Sequence, residues 1–85
     1  MSDFILLTQD HCPMCERLKM MLRGPLKGEF NDRIEVVHLQ SDEARFQELV
    51  AQHGIQKTPT LLHAESGRRL LNDQSLHEVK TFLTT

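Results

Sequence analysis

Cys12 and Cys15 are the two cysteines of the chain, spaced as Cys12-Pro13-Met14-Cys15. A C-x-x-C pair supports two kinds of chemistry. It can exchange thiols for a disulfide, or it can hold a soft metal ion such as Cu(I) or zinc, with His11 as a neighbouring donor. Two cysteines are too few for a disulfide framework and leave a closed zinc site two ligands short. In the exchange chemistry the Cys12 thiolate attacks a substrate disulfide and forms a mixed disulfide. Cys15, one turn further in, then attacks Cys12 and releases the reduced product.

The position of the motif favours exchange. It lies at the joint between the apolar run Phe4-Ile5-Leu6-Leu7 and a helical pattern running from Glu16 to Arg23. A cysteine at a helix start lies near unpaired backbone N–H groups, here those of Met14 and Cys15, and near the positive end of the helix dipole. Both favour the thiolate. C-x-x-C cysteines so placed have pKa values of roughly 3.5–7.5, against about 8.5 for a free thiol. Pro13 fits the first turn, where its missing N–H costs nothing, and it stiffens that turn. Met14 offers a polarizable apolar surface to a peptide substrate. Asp10 and His11 flank the nucleophile with opposed effects, since a carboxylate disfavours the thiolate and a protonated imidazole favours it.

The elements that must position this pair can be read from hydropathy and turn residues. Residues 3–8 read as a buried strand, and Thr8 to His11 as a short loop. Cys15, Leu18 and Leu22 share one face of the first helix, widened by Met21, and Gly24-Pro25 ends it. Residues 25–32 read as a polar loop. Arg33 to Leu39 is a second strand. Ser41 is the expected N-cap of a second helix, which carries Phe46, Leu49 and Val50 inward and closes at Gly54. Residues 58–63 form a third strand, Glu65-Ser66-Gly67 a turn, and Arg69-Leu70-Leu71 a short fourth strand. Ser75 caps a last helix with Leu76, Val79, Phe82 and Leu83 inward. The order β-α-β-α-β-β-α, with right-handed crossovers, predicts an α/β mixed four-stranded sheet with helices on both faces.

Composition narrows the function classes. The chain has 85 residues and a net charge of −2, which suits one small domain over 1–85. No basic stretch exceeds Arg68-Arg69, so no nucleic-acid partner is expected. No apolar run is long enough for a bilayer, and the start of the chain has no signal-like segment. The expectation is a cytoplasmic monomer. In a reducing compartment a C-x-x-C is more readily catalytic or metal-binding than structural.

The chain resembles the thioredoxin superfamily, and its small glutaredoxin-like members in particular. The resemblance rests on Cys12-Pro13-Met14-Cys15, on the segment His53-Gly54-Ile55-Gln56-Lys57-Thr58-Pro59-Thr60-Leu61-Leu62, and on the element order. It implies the minimal thioredoxin fold, with Pro59 as a cis-proline facing the cysteines. It also implies that the backbone of Thr58 receives an extended substrate peptide. Substrate contacts then fall to Pro13, Met14, Thr58 and Pro59, with Lys57 near a substrate carboxylate. The implied activity is a thiol–disulfide oxidoreductase that reduces protein disulfides in cell redox homeostasis. It carries no tightly bound cofactor and takes electrons from a reductase or from glutathione. The sequence departs from the glutaredoxin pattern at Leu71-Asn72, where that family has a Gly-Gly pair, and at Met14, where an aromatic residue is common. It departs from the thioredoxin pattern at His11, in place of a Trp, and at Leu6, in place of a buried Asp.

Overall fold

β1 (Phe4–Thr8) is buried at all five of its residues. Such a run, apolar without alternation apart from Thr8, belongs to a strand covered on both faces. In the computed structural model, which describes residues 3–70 and 75–84, β1 is the middle strand of the order β2-β1-β3. β2 (Ile34–His38) runs parallel to it, with Phe4 beside Ile34 and Thr8 beside His38. β3 (Thr60–His63) runs antiparallel, with Leu7 beside Thr60 and Phe4 beside His63.

Successive side chains of β1 point to opposite faces. Phe4 and Leu6 join Leu18 and Leu22 of α1 (Pro13–Arg23) and Val79, Phe82 and Leu83 of α3 (Leu76–Thr84). Ile5 and Leu7 join Val37 and Ile55, with Phe46 and Leu49 of α2 (Glu43–His53). The helices therefore cover both faces of the sheet, and the fold is a small mixed α/β sandwich.

Several sequence expectations need correction. The fourth strand is reduced to one antiparallel bridge between Leu62 and Arg69. Gly67, at φ 74°, closes the preceding turn. The N–H of His63 then donates to Arg68 O at 2.7 Å, and that of Leu70 to Leu61 O at 2.9 Å. These few bonds make a hairpin without a ladder, and the described sheet has three strands. Leu71, the remaining residue of the expected strand, lies outside the described residues, as do Asn72 and Asp73.

The segment 25–32 is more than a polar loop. Leu26 and Phe30 are buried in the core beside α1 and α3, and a 3-10 turn at Asn31–Arg33 leads into β2. The N-cap of α2 is Asp42, not Ser41, because the N–H groups of both Ser41 and Asp42 turn back to the carbonyl of His38. Leu76 is 41% exposed, since it stands at the start of α3 ahead of the face that meets the sheet. Ser75 does cap this helix, its hydroxyl accepting from the N–H of Glu78 at 3.3 Å.

Gly54 ends α2 in the left-handed conformation at φ 65° and ψ 40°, its N–H bonded to Val50 O. A Cβ at this position would meet nothing within 4 Å. The cost of Gly54→Ala is therefore backbone strain alone, about 1–2 kcal/mol. The urea midpoint should fall with the slope m unchanged, and Gly54→Asn, which tolerates this conformation, should recover part of the loss.

Candidate functional site

The parallel pair β1 and β2 ends at one edge of the sheet, and the antiparallel β3 begins there. Three chain segments therefore meet at that edge: the loop after Thr8 with the start of α1, the turn after His38, and the stretch Gln56–Thr60. Cys12 is the N-cap of α1 in an extended conformation, φ −121° and ψ 91°. Its Sγ accepts a hydrogen bond from the N–H of Cys15 at 3.1 Å, and its carbonyl takes the N–H of Glu16 at 3.2 Å. The N–H of Cys15 also reaches the Cys12 carbonyl at 3.1 Å, so a helix-start donor is shared between that oxygen and the sulfur.

The two cysteines differ in access. Cys12 is half-buried, whereas Cys15 is fully buried on the core-facing side with Leu18 and Leu22. Their sulfurs are joined as a disulfide, with Cα atoms 5.2 Å apart. Pro13 is exposed at the first helical position, and Met14 is 44% exposed beside it. A partner approaching this rim meets Cys12, Pro13 and Met14 before anything else on the helix.

Thr58 and Pro59 come to the same place from the far side of the chain. The Thr58–Pro59 peptide bond is cis. Thr58 Oγ1 lies 3.7 Å from Cys12 Sγ, within reach of a hydrogen bond to sulfur. Thr60 Oγ1 donates to Lys57 O at 2.6 Å and so fixes the turn that carries Thr58. Two shallow clefts flank this segment. One of about 230 Å³ includes Gln9, Gln56 and Thr58 in its lining. The other, of about 260 Å³, includes Lys57, Pro59 and Arg69. Lys57 is exposed, and the Arg69 guanidinium donates to His53 O.

The loop before Cys12 holds a residue group that the sequence reading passed over. Asp10, expected to oppose thiolate formation, has its carboxylate against the ring of His38 at 2.8 Å. The other ring nitrogen of His38 meets the hydroxyl of the fully buried Thr8 at 2.7 Å. No sequence spacing links His38 to either cysteine, 23 positions or more away. The available signal was the parallel pairing of strands one and two, which sets their last residues, Thr8 and His38, side by side. His11 is exposed and adopts φ 58°. A non-glycine residue there is strained by about 1–2 kcal/mol.

Among the described residues no three His, Cys, Asp or Glu side chains gather as metal ligands. Among the same residues no helix is long and apolar enough to cross a membrane. No protein-family model matches the chain, and no curated protein matches it significantly.

The Thr58 hydroxyl is placed to stabilise negative charge on Cys12. Thr58→Val keeps the shape and removes that donor. In the reduced protein, alkylation of Cys12 at neutral pH should slow by about two- to threefold. An unchanged rate would show that the 3.7 Å contact carries no weight.

Proposed function

We propose that this protein is a dithiol–disulfide oxidoreductase of the thioredoxin-superfamily type, reducing protein disulfides in the cytoplasm. The observation that carries the reading is the unequal setting of two close sulfurs. Cys12 caps the helix at the rim with a backbone N–H on its sulfur, and Cys15 lies one turn inside, fully buried.

The chemistry follows from that setting. The Cys12 thiolate attacks one sulfur of a substrate disulfide. The substrate S–S bond breaks, a mixed disulfide forms, and the departing thiolate takes up a proton. Cys15, once deprotonated, attacks Cys12 Sγ and expels the second substrate thiolate. Two electrons have passed to the substrate, and the protein is left with the Cys12–Cys15 disulfide. A reductase or glutathione returns the electrons by the reverse exchange. The helix-start N–H stabilises negative charge at Cys12 both when it attacks and when it leaves. Thr58, with Pro13 and Met14, forms the surface against which the substrate chain lies, while Pro59 is itself buried beside Thr58. The backbone of Thr58, ahead of the start of β3, suits an extended peptide added alongside it. The alternative use of the pair is a soft-metal module, for which no group of three His, Cys, Asp or Glu ligands forms among the described residues, or an iron–sulfur cluster bridging two copies of the chain.

Cys12→Ser should abolish reduction of insulin disulfides. Cys15→Ser should still attack once and accumulate mixed disulfides, visible by mass under non-reducing conditions. Full activity of the Cys12→Ser protein would sink the assignment. Stoichiometric zinc or copper in the purified protein, with no reversible disulfide, would favour the metal module.

A further inference from the structure

One set of side chains beside the motif takes no part in the exchange steps above. Thr8 closes β1, His38 closes β2, and the parallel register sets them side by side. Thr8 is fully buried, so its hydroxyl needs a partner. It finds His38 Nδ1 at 2.7 Å, while Nε2 of the same ring lies 2.8 Å from Asp10 Oδ1. An ionised carboxylate only accepts, so Nε2 carries the proton and donates to Asp10. In the neutral ring Nδ1 is then the acceptor, and Thr8 donates to it.

Two further bonds tie the same segments. The N–H of Asp10 donates to Gln40 Oε1 at 2.8 Å, and the N–H of Leu39 donates to Thr8 O at 2.9 Å. The end of β2 and the two residues after it thus hold the end of β1 through two hydrogen bonds to Thr8, and the loop before Cys12 through two to Asp10. That loop includes His11 at φ 58°, a conformation that persists where the surroundings hold it.

We propose that His38 is a positioning residue for the redox site, acting on Cys12 through Asp10 and the loop it anchors. The inference rests on the disulfide-exchange reading. Asp10 is two residues from Cys12 in the same short loop, so their Cα atoms are at most about 7 Å apart. A carboxylate this close opposes a second negative charge on the cysteine. His38 sets where the carboxylate points and binds its charge in an N–H bond. It also holds the turn from which the Cys12 sulfur meets the N–H of Cys15. Loss of His38 frees the carboxylate and loosens the turn, and both effects destabilise the thiolate of the reduced protein. A couple whose reduced form is less stable has a lower potential.

The test measures the Cys12–Cys15 couple in glutathione buffers, together with the alkylation rate of Cys12 in the reduced protein. The proteins compared are wild type, His38→Leu, His38→Gln, Asp10→Asn and the double variant Asp10→Asn/His38→Leu. His38→Leu should shift the equilibrium constant about three- to tenfold toward the disulfide, ~15–30 mV more negative. Alkylation should slow by a similar factor. His38→Gln, which keeps a donor for Asp10, should stay near wild type. Asp10→Asn should restore the potential in the His38→Leu background and change it less in wild type. A wild-type potential and alkylation rate in His38→Leu would overturn the proposal, even if that variant were less stable. Failure of Asp10→Asn to reverse the shift would overturn the route through the carboxylate. If His38→Leu does not fold, His38→Asn, too short to reach Asp10, should show the same shift, and a wild-type potential there overturns the proposal as well. A wild-type protein with no reversible couple would overturn the disulfide-exchange reading itself, before any variant is compared.

Discussion

β1 is hydrogen-bonded on both edges and buried on both faces, and the position of every group at the site depends on that. A central strand has no freedom to slide. A one-residue slip would carry Phe4 and Leu6 onto the α2 face and Ile5 and Leu7 onto the other, leaving side chains of the wrong size and shape in both halves of the core. Its carboxyl end at Thr8 is therefore a fixed point. Four residues later the chain reaches Cys12, and the intervening loop is tied to β2 rather than left to its own turn chemistry.

The split between the two cysteines follows from helix geometry. Residues three apart share a face, but the first of them is also the cap, where the backbone is still extended. Cys12 stays at the rim because it precedes the helical turn that would carry it inward. Cys15 completes that turn and falls in line with Leu18 and Leu22 against the sheet. One spacing thus produces an accessible sulfur and a protected one, while keeping them close enough to bond. A longer spacing along the helix would part the sulfurs.

Much of this arrangement was legible because the strongest signals were local. The apolar run of β1, the i, i+3, i+7 face of α1 and the glycine after His53 each fix an element without knowledge of the rest. The helix start at Cys12 was readable from Pro13 and the motif together. What the sequence hid was tertiary. Leu26 and Phe30 sit in a stretch whose average polarity masks two buried side chains, because no period links them to a helix or strand. Ser41 was a sound cap by residue type, yet the tight turn after β2 uses its N–H and moves the helix start to Asp42. The fourth strand had strand-like residues but too little length for a ladder. His38 and Asp10 are 28 residues apart, and only strand register brings them together.

Three residues that break local rules lie at the edge where the parallel strands end. Thr8 is a fully buried hydroxyl, His11 is a non-glycine residue at positive φ, and the N-cap is a cysteine where an oxygen-bearing side chain would hold the helix better. In open α/β sheets the crevice outside the carboxyl ends of the strands is where ligands bind, because loops from several strands converge there. Here β1 and β2 deliver Cys12, Asp10 and His38 to that edge, and β3, running the other way, delivers Thr58 with its first turn. A scaffold selected for stability alone would replace these residues with a serine cap, a glycine at His11 and a valine at Thr8. Each such change would ease a local cost, and each would act on the segment that sets the Cys12 sulfur. Strain at His11 and the two bonded sulfurs thus lie within one short stretch of chain at that edge.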